Sequence, residues 1–147
     1  MGFDIGLFPE AIEVEFDSFI DRTYYEFVCN YENEGSESVI QQTGEALRIN
    51  LEPLAKLVPL EAMDDEEYLE SNLQDTKELL NFVSVVREKV SQNLTVADNF
   101  IFEYSDDRKK WPLYFSSGKI LEDLDVVIRL LQQYQQDGVK RVFFGIT

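Results

Sequence analysis

Histidine is absent from this chain of 147 residues, and cysteine is nearly so, with Cys29 standing alone. The first absence removes every Ser–His and Cys–His nucleophile pair and every histidine-ligated metal at once. The second removes any intrachain disulfide and suits a reducing compartment. Cys29, beside Val28 in a helical pattern, reads as a small, half-buried hydrophobe rather than a nucleophile. Long apolar runs are missing too: none approaches the roughly 20 residues that span a bilayer. The opening Met1-Gly2-Phe3-Asp4 has neither a basic n-region nor an apolar h-region, so nothing in it directs the chain out of the cytosol, and a cytoplasmic location is expected. Gly6 stands where an N-myristoylation motif wants Ser or Thr.

Positive charge is scarce in one half only. Residues 1–75 carry 19 Asp and Glu against Arg22, Arg48 and Lys56, whereas residues 76–147 carry ten acids and ten bases, so the first half holds the whole net charge of −16. Such asymmetry costs self-repulsion in the compact state and speaks to solubility, steering and choice of partner rather than to fold. It makes a basic protein the expected partner and disfavours anionic lipid surfaces. Nucleic acid is excluded as a partner, because the one basic cluster, Arg108-Lys109-Lys110, follows Asp106-Asp107 directly.

What is present is material for a core. With 44% hydrophobic residues, eleven Phe and seven Tyr, the chain can bury roughly 70% of its unfolded surface in a single globular domain spanning 1–147. Phe3–Phe8, ended by Pro9, reads as a first strand, and the alternation of Ile12, Val14 and Phe16 suits a second. Phe16, Phe19, Ile20, Thr23, Tyr24, Phe27, Val28 and Tyr31 fall at helical spacing, which predicts a helix over 17–31. Ser38 and Gln41 form a capping box for a short helix over 39–46, weakened by Gly44. Leu47–Glu52 alternates as a strand, and Pro53 opens a helical turn that Pro59 stops. A long stripe then runs from Tyr68 to about Gln92, with Asp75-Thr76 as the place where it could break.

In the C-terminal part, Phe100–Tyr104 and Trp111–Phe115 are aromatic-rich and joined by a polar loop, which predicts a β-hairpin. Ile120, Leu121, Leu124, Val127, Ile128, Leu131 and Tyr134 define an amphipathic helix ended by Gly138, and Val139–Ile146 closes the chain as a strand. Strand, helix, strand predicts a right-handed crossover with parallel strands around 113 and 142. The expected architecture is α+β (or α/β): one mixed sheet of about four to five strands packed by three main amphipathic helices, with a C-terminal β-hairpin–helix–strand unit.

Candidate functional residues are few. Asp64-Asp65-Glu66-Glu67 is the densest acidic run. It suits a helix first turn, where the dipole favours carboxylates, and it lacks the alternation, central Gly and twelfth-position Glu of a calcium loop. Ser117, Gly118 and Lys119, between a predicted strand and helix, are a candidate anion site, but Leu113 and Ile120 replace the Gly and Ser/Thr of a P-loop, so a tight turn with a solvent-facing Lys119 is the simpler reading. Asp4, inside an apolar strand, either faces solvent, the simpler reading, or is held by partners, in which case its burial would signal chemistry. No motif fixes a catalytic residue, a metal or a cofactor, so none is assigned. Three functions follow: an acidic, non-enzymatic binding protein of the inhibitor or immunity type, acting on a basic toxin or nuclease; a small ligand-binding domain or enzyme with its pocket near 115–119; or a housekeeping subunit kept soluble by its acidity. For the first, Asp21, Tyr25, Asp64, Asp65, Glu66, Glu67 and Tyr68 are the candidate contacts. Oligomeric state leaves no mark in the sequence.

Overall fold

The sheet is assembled around the last strand of the chain. In the computed structural model, which describes residues 4–11, 19–29 and 38–147, the strands are β1 (Ile5–Pro9), β2 (Phe19–Ile20), β3 (Leu57–Pro59), β4 (Gln74–Asp75) and β5 (Arg141–Ile146). β5 pairs antiparallel with β1 from Phe8↔Phe143 through Ile5↔Ile146. Its other edge is shared: Phe144–Ile146 runs parallel to β3, and Arg141–Val142 runs antiparallel to β4. β2 completes the far side of β1. The sheet is therefore mixed and the fold α+β, as composition and patterning predict.

Six α-helices are described: α1 (Arg22–Val28), α2 (Val39–Leu47), α3 (Glu66–Asn72), α4 (Thr76–Ser91), α5 (Ser105–Ser116) and α6 (Lys119–Gln136). Alternation along β5 sorts side chains to two faces. Val142 and Phe144 enter the main core with Ile5 and Leu7, against the inward stripes of α4 (Leu79, Val83, Val86, Val90) and α6 (Ile120, Leu124, Val127, Leu131). Phe143 turns the other way and joins Phe8 and Val58 in a smaller cluster, covered by Phe19, Leu60, Met63, Leu69 and Leu73. One face of the sheet thus carries the helical layer, and the other is capped by α3 and the turn before it. Tyr134 fastens α6 to the sheet by donating its hydroxyl to the Leu7 carbonyl at 2.6 Å.

Local signals placed several elements. The capping box forms at α2: the Ser38 side chain accepts from the Gln41 N–H, and Gln41 returns a bond to the Ser38 N–H. Gly138, at φ 79°, ends α6 as the left-handed residue beyond the cap. The long stripe breaks where it could, with Asp75 capping α4 through the Glu78 N–H. Asp4 precedes β1 and is exposed. The candidate strand over 12–16 and both ends of the predicted 17–31 helix lie outside the described residues; within them, α1 starts only after Phe19–Ile20 has paired with β1.

Three predictions are overturned. No β-hairpin forms at 100–115: Trp111, Tyr114 and Phe115 are buried along α5, at the i, i+3, i+4 spacing of a helix face, while Asp106 and Asp107 occupy its first turn. Pro112 sits inside this helix although it cannot return a bond to the Arg108 carbonyl. The parallel partner of β5 is accordingly β3, far upstream, and not a strand near 113. Leu47–Glu52 is not a strand either: α2 runs through Leu47, Arg48 turns left-handed at φ 55°, and Glu52–Leu54 is a 3₁₀ turn.

Gly145 allows the second face of the sheet to close. A Cβ there would stand 2.7 Å from Leu60 Cδ2 and 2.8 Å from Phe8 Cε2. We expect Gly145→Ala to lower unfolding stability by about 1–3 kcal/mol through overpacking, read as a shift of the urea midpoint; an unchanged midpoint would mean that Phe8 and Leu60 swing aside freely.

Candidate functional site

The acidic run forms an exposed cap on the minor face of the sheet. Asp65 is the N-cap of α3 and accepts from the Tyr68 N–H at 3.1 Å. Glu66 and Glu67 fill the first turn, where the free N–H groups favour them. Leu69 and Leu73 anchor the helix into the Phe8–Val58–Phe143 cluster, which leaves Glu66, Glu67 and Glu70 to solvent. Among the described residues, Glu70 alone of these is ion-paired: Arg141 at the start of β5 reaches it with Nη1 and holds Glu10 through two bonds of 3.0 Å. These contacts hold Glu10 below its ordinary pKa and raise that of Arg141. Among the described residues, no ion pair reaches Glu61, Asp64, Asp65, Glu66 or Glu67.

Tyr68 stands at the edge of this cap, 41% exposed, with its hydroxyl donating to the Leu57 carbonyl at 3.2 Å. It lines a cleft of about 310 Å³ together with Val28, Cys29, Glu52, Lys56 and Asn72. The C-terminal end of α1 and the acidic helix therefore meet there. Tyr25 is half-buried and hydrogen-bonded to Cys29; burial, followed by that contact, raises the pKa of Tyr25, and burial raises the Cys29 thiol against the opposing hydrogen bond. Cys29 is thus a protonated, partly buried thiol, as its context predicts. Asp21 lies at the other end of α1, away from the cleft, and caps it by accepting from the Thr23 N–H at 2.9 Å.

The candidate anion site has different surroundings from those expected. Ser117 and Gly118 join two helices rather than a strand and a helix; Gly118 turns at φ 81°, and the Ser117 hydroxyl accepts from the Lys119 N–H. Lys119 is not simply solvent-facing. Its ammonium lies 3.2 Å from Asp123 Oδ1, 3.6 Å from Asp21 and 3.7 Å from Glu122. Burial alone would lower its pKa, but these carboxylates raise it. Its charge is taken up by acids of α1 and α6.

Asp123 is the residue that sequence reasoning missed. It is 2% exposed and accepts from the Tyr114 hydroxyl at 2.7 Å, and its charge adds to the effect of burial in raising the pKa of the fully buried Tyr24 phenol. Desolvation raises its pKa and outweighs the lowering by Tyr114 and Lys119, with the Asp21 charge adding to the rise. Asp21 itself is held low, chiefly by the Thr23 N–H. A signal was legible: position 123 falls three after Ile120 and four before Val127, an acid within the inward stripe of α6. Further along the α1–α5 seam, Glu26 pairs with Arg22 and Lys110, and Lys110 lies 4.9 Å from the Trp111 ring centre.

Among the described residues, no group of His, Cys, Asp and Glu is placed to hold a metal ion, and no helix is long and apolar enough to cross a membrane. No protein-family model, curated protein or solved structure matches the chain.

A carboxyl whose folded-state pKa exceeds its unfolded value keeps its proton after the unfolded chain has released its own. Native stability then falls as pH rises from the ordinary Asp range to the folded value, and is level above it. Asp123→Asn removes this dependence. Urea unfolding of both proteins between about pH 3 and pH 7 should show the Asn variant gaining on wild type as pH rises; a gain in the opposite direction would place the folded pKa below the unfolded one.

Proposed function

We propose that this is a non-enzymatic acidic binding protein, an inhibitor- or immunity-type partner of a basic protein such as a toxin or nuclease. One observation carries the reading: Glu61, Asp64, Asp65, Glu66 and Glu67 stay without ion-pair partners among the described residues, along the turn that leads into α3 and the first turn of that helix, whose apolar side is fixed to the sheet. Residues 61–78 contain eight acids and one base, Lys77. A single-sign field of this kind accelerates encounter with a cationic surface, up to 10³-fold at low salt, by roughly the margin known for steered association. Tyr68 beside it has the size and exposure of an aromatic anchor at the centre of an interface. The other readings have less support, because the helix-to-helix turn at 115–119 removes the strand-end geometry that suggested a ligand pocket.

The test is retention of basic proteins from the host on the immobilised chain, eluted by salt from roughly 50 to 500 mM. The comparison is a variant carrying Asp64→Asn, Glu66→Gln and Glu67→Gln, with Asp65 spared because it caps α3. We expect one cationic protein, bound stoichiometrically in calorimetry, whose affinity falls about tenfold or more in the variant. Equal affinity for both forms, or no cationic partner at any salt, would sink the proposal.

A further inference from the structure

Lys56 is the one base among residues 49–76, which hold eight acids. It is half-buried, and among the described residues its ammonium has neither an ion pair nor a hydrogen bond. A cation partly withdrawn from water calls for a counter-charge, and local geometry explains why no carboxylate of the chain supplies it. Glu52 stands four residues earlier, the spacing of a helical ion pair. The 3₁₀ turn Glu52–Leu54 ends before Lys56, however, and the chain passes into β3 at Leu57, so the two opposite charges line the same cleft of about 310 Å³ without pairing. A third polar group there has its orientation set: the Asn72 amide nitrogen donates to the Tyr68 carbonyl at 2.9 Å, which leaves Asn72 Oδ1 as an acceptor. The Tyr68 hydroxyl is committed to the Leu57 carbonyl. Val28 and Leu57 add an apolar wall. The cleft thus offers one cationic donor, one anionic and one neutral acceptor, and a hydrophobic surface between them.

We propose that this cleft binds a small zwitterion, a free α-amino acid with an apolar side chain. The ligand carboxylate meets Lys56, its ammonium is shared by Glu52 and Asn72 Oδ1, and its side chain lies against Val28, Leu57 and the ring of Tyr68. Charge selects this class. A simple anion would gain Lys56 but meet the repulsive field of the first half, which carries the whole net charge of −16. A simple cation would suit that field and leave Lys56 facing a like charge. A molecule with both charges answers Lys56 and Glu52 at once, and its neutrality frees it from the field. Size sets the upper limit: about 310 Å³ lies at the low end of the roughly 300–1,000 Å³ of small-molecule sites, room for one amino acid rather than a peptide. The unpaired acids of 61–67 do not line the cleft, so amino-acid binding neither needs nor excludes the basic partner proposed above; of the residues offered as partner contacts, Tyr68 alone belongs to both.

The experiment is a ¹⁵N NMR titration of the intact chain with leucine, methionine and phenylalanine, alongside isocaproate and isoamylamine, which keep the leucine side chain but carry only one of its two charges. At least one of the three amino acids should shift the amide signals of Leu57, Tyr68 and Asn72 saturably, with a dissociation constant of about 1 mM or tighter. The two single-charge analogues should bind about tenfold more weakly or not at all, and Lys56→Met and Glu52→Gln should each weaken amino-acid binding by about the same factor, the size expected for losing one hydrogen bond to a charged group. No saturable shift with any of the three amino acids would overturn the site. Isocaproate or isoamylamine binding as tightly as the best amino acid would overturn its zwitterion chemistry, a point that wild-type protein tests without any variant. Affinity unchanged in either variant would place the ligand elsewhere and overturn the assignment to this cleft.

Discussion

Everything in this fold waits on β5. The strand Arg141–Ile146 is bounded by β1 along one edge and by β3 and β4 along the other, so the sheet has no centre until the last residues are in place. Phe143 and Phe144, both fully buried, point to opposite faces and nucleate the two clusters between which the sheet is held. Pairing across more than 130 residues, as in Ile5↔Ile146, is costly in loop closure, and it is repaid only when both faces are covered.

The two coverings are unequal in chemistry. On the major face, α4 and α6 pack side by side with apolar stripes inward and an Arg87–Asp125 pair of 2.9 Å outside. On the minor face, a single seven-residue helix, α3, does the same task with Leu69 and Leu73 and turns its acids outward. Arg141 ties the two ends of that arrangement together, because one guanidinium at the start of β5 holds Glu10 after β1 and Glu70 on α3. The acids before Glu70 lie beyond its reach, and their field is what a cationic partner would meet first. The Asp123 cluster sits on the other side of the molecule, at the junction of α1, α5 and α6, where burial rather than exposure sets the behaviour of the charge.

Legibility followed the range of the interactions. The Ser38–Gln41 capping box and the Gly138 stop are decided within four residues, and each was readable as written, whereas the Asp65 and Asp75 caps emerged with the structure. Trp111–Phe115 was misread because aromatic residues favour strands only in a context that lets them pack on a pleated face. Here Phe27 offers a helix-shaped partner, with ring centres near 6 Å from Trp111, Tyr114 and Phe115. β3, three residues ending in Pro59, carries too little pattern to be seen and exists because β5 has a free edge. The contacts proposed around Tyr68 were visible as an acidic run, whereas Asp123, although it interrupts the inward stripe of α6, was passed over among 29 acidic residues.

By itself, then, the sequence determined the α+β character, the capping box of α2, the stop of α6, the amphipathic stripes of α4 and α6, and the acidic character of the first half, because composition, periodicity and capping act locally. The tertiary structure alone decided that a strand seventeen residues before Thr76 would run parallel to the chain's last strand, that Lys119 would be shared by acids from two helices, and that one aspartate would be buried against the Tyr114 hydroxyl. Those outcomes depend on which distant surfaces are left uncovered once the local elements form, and no window of sequence contains that information.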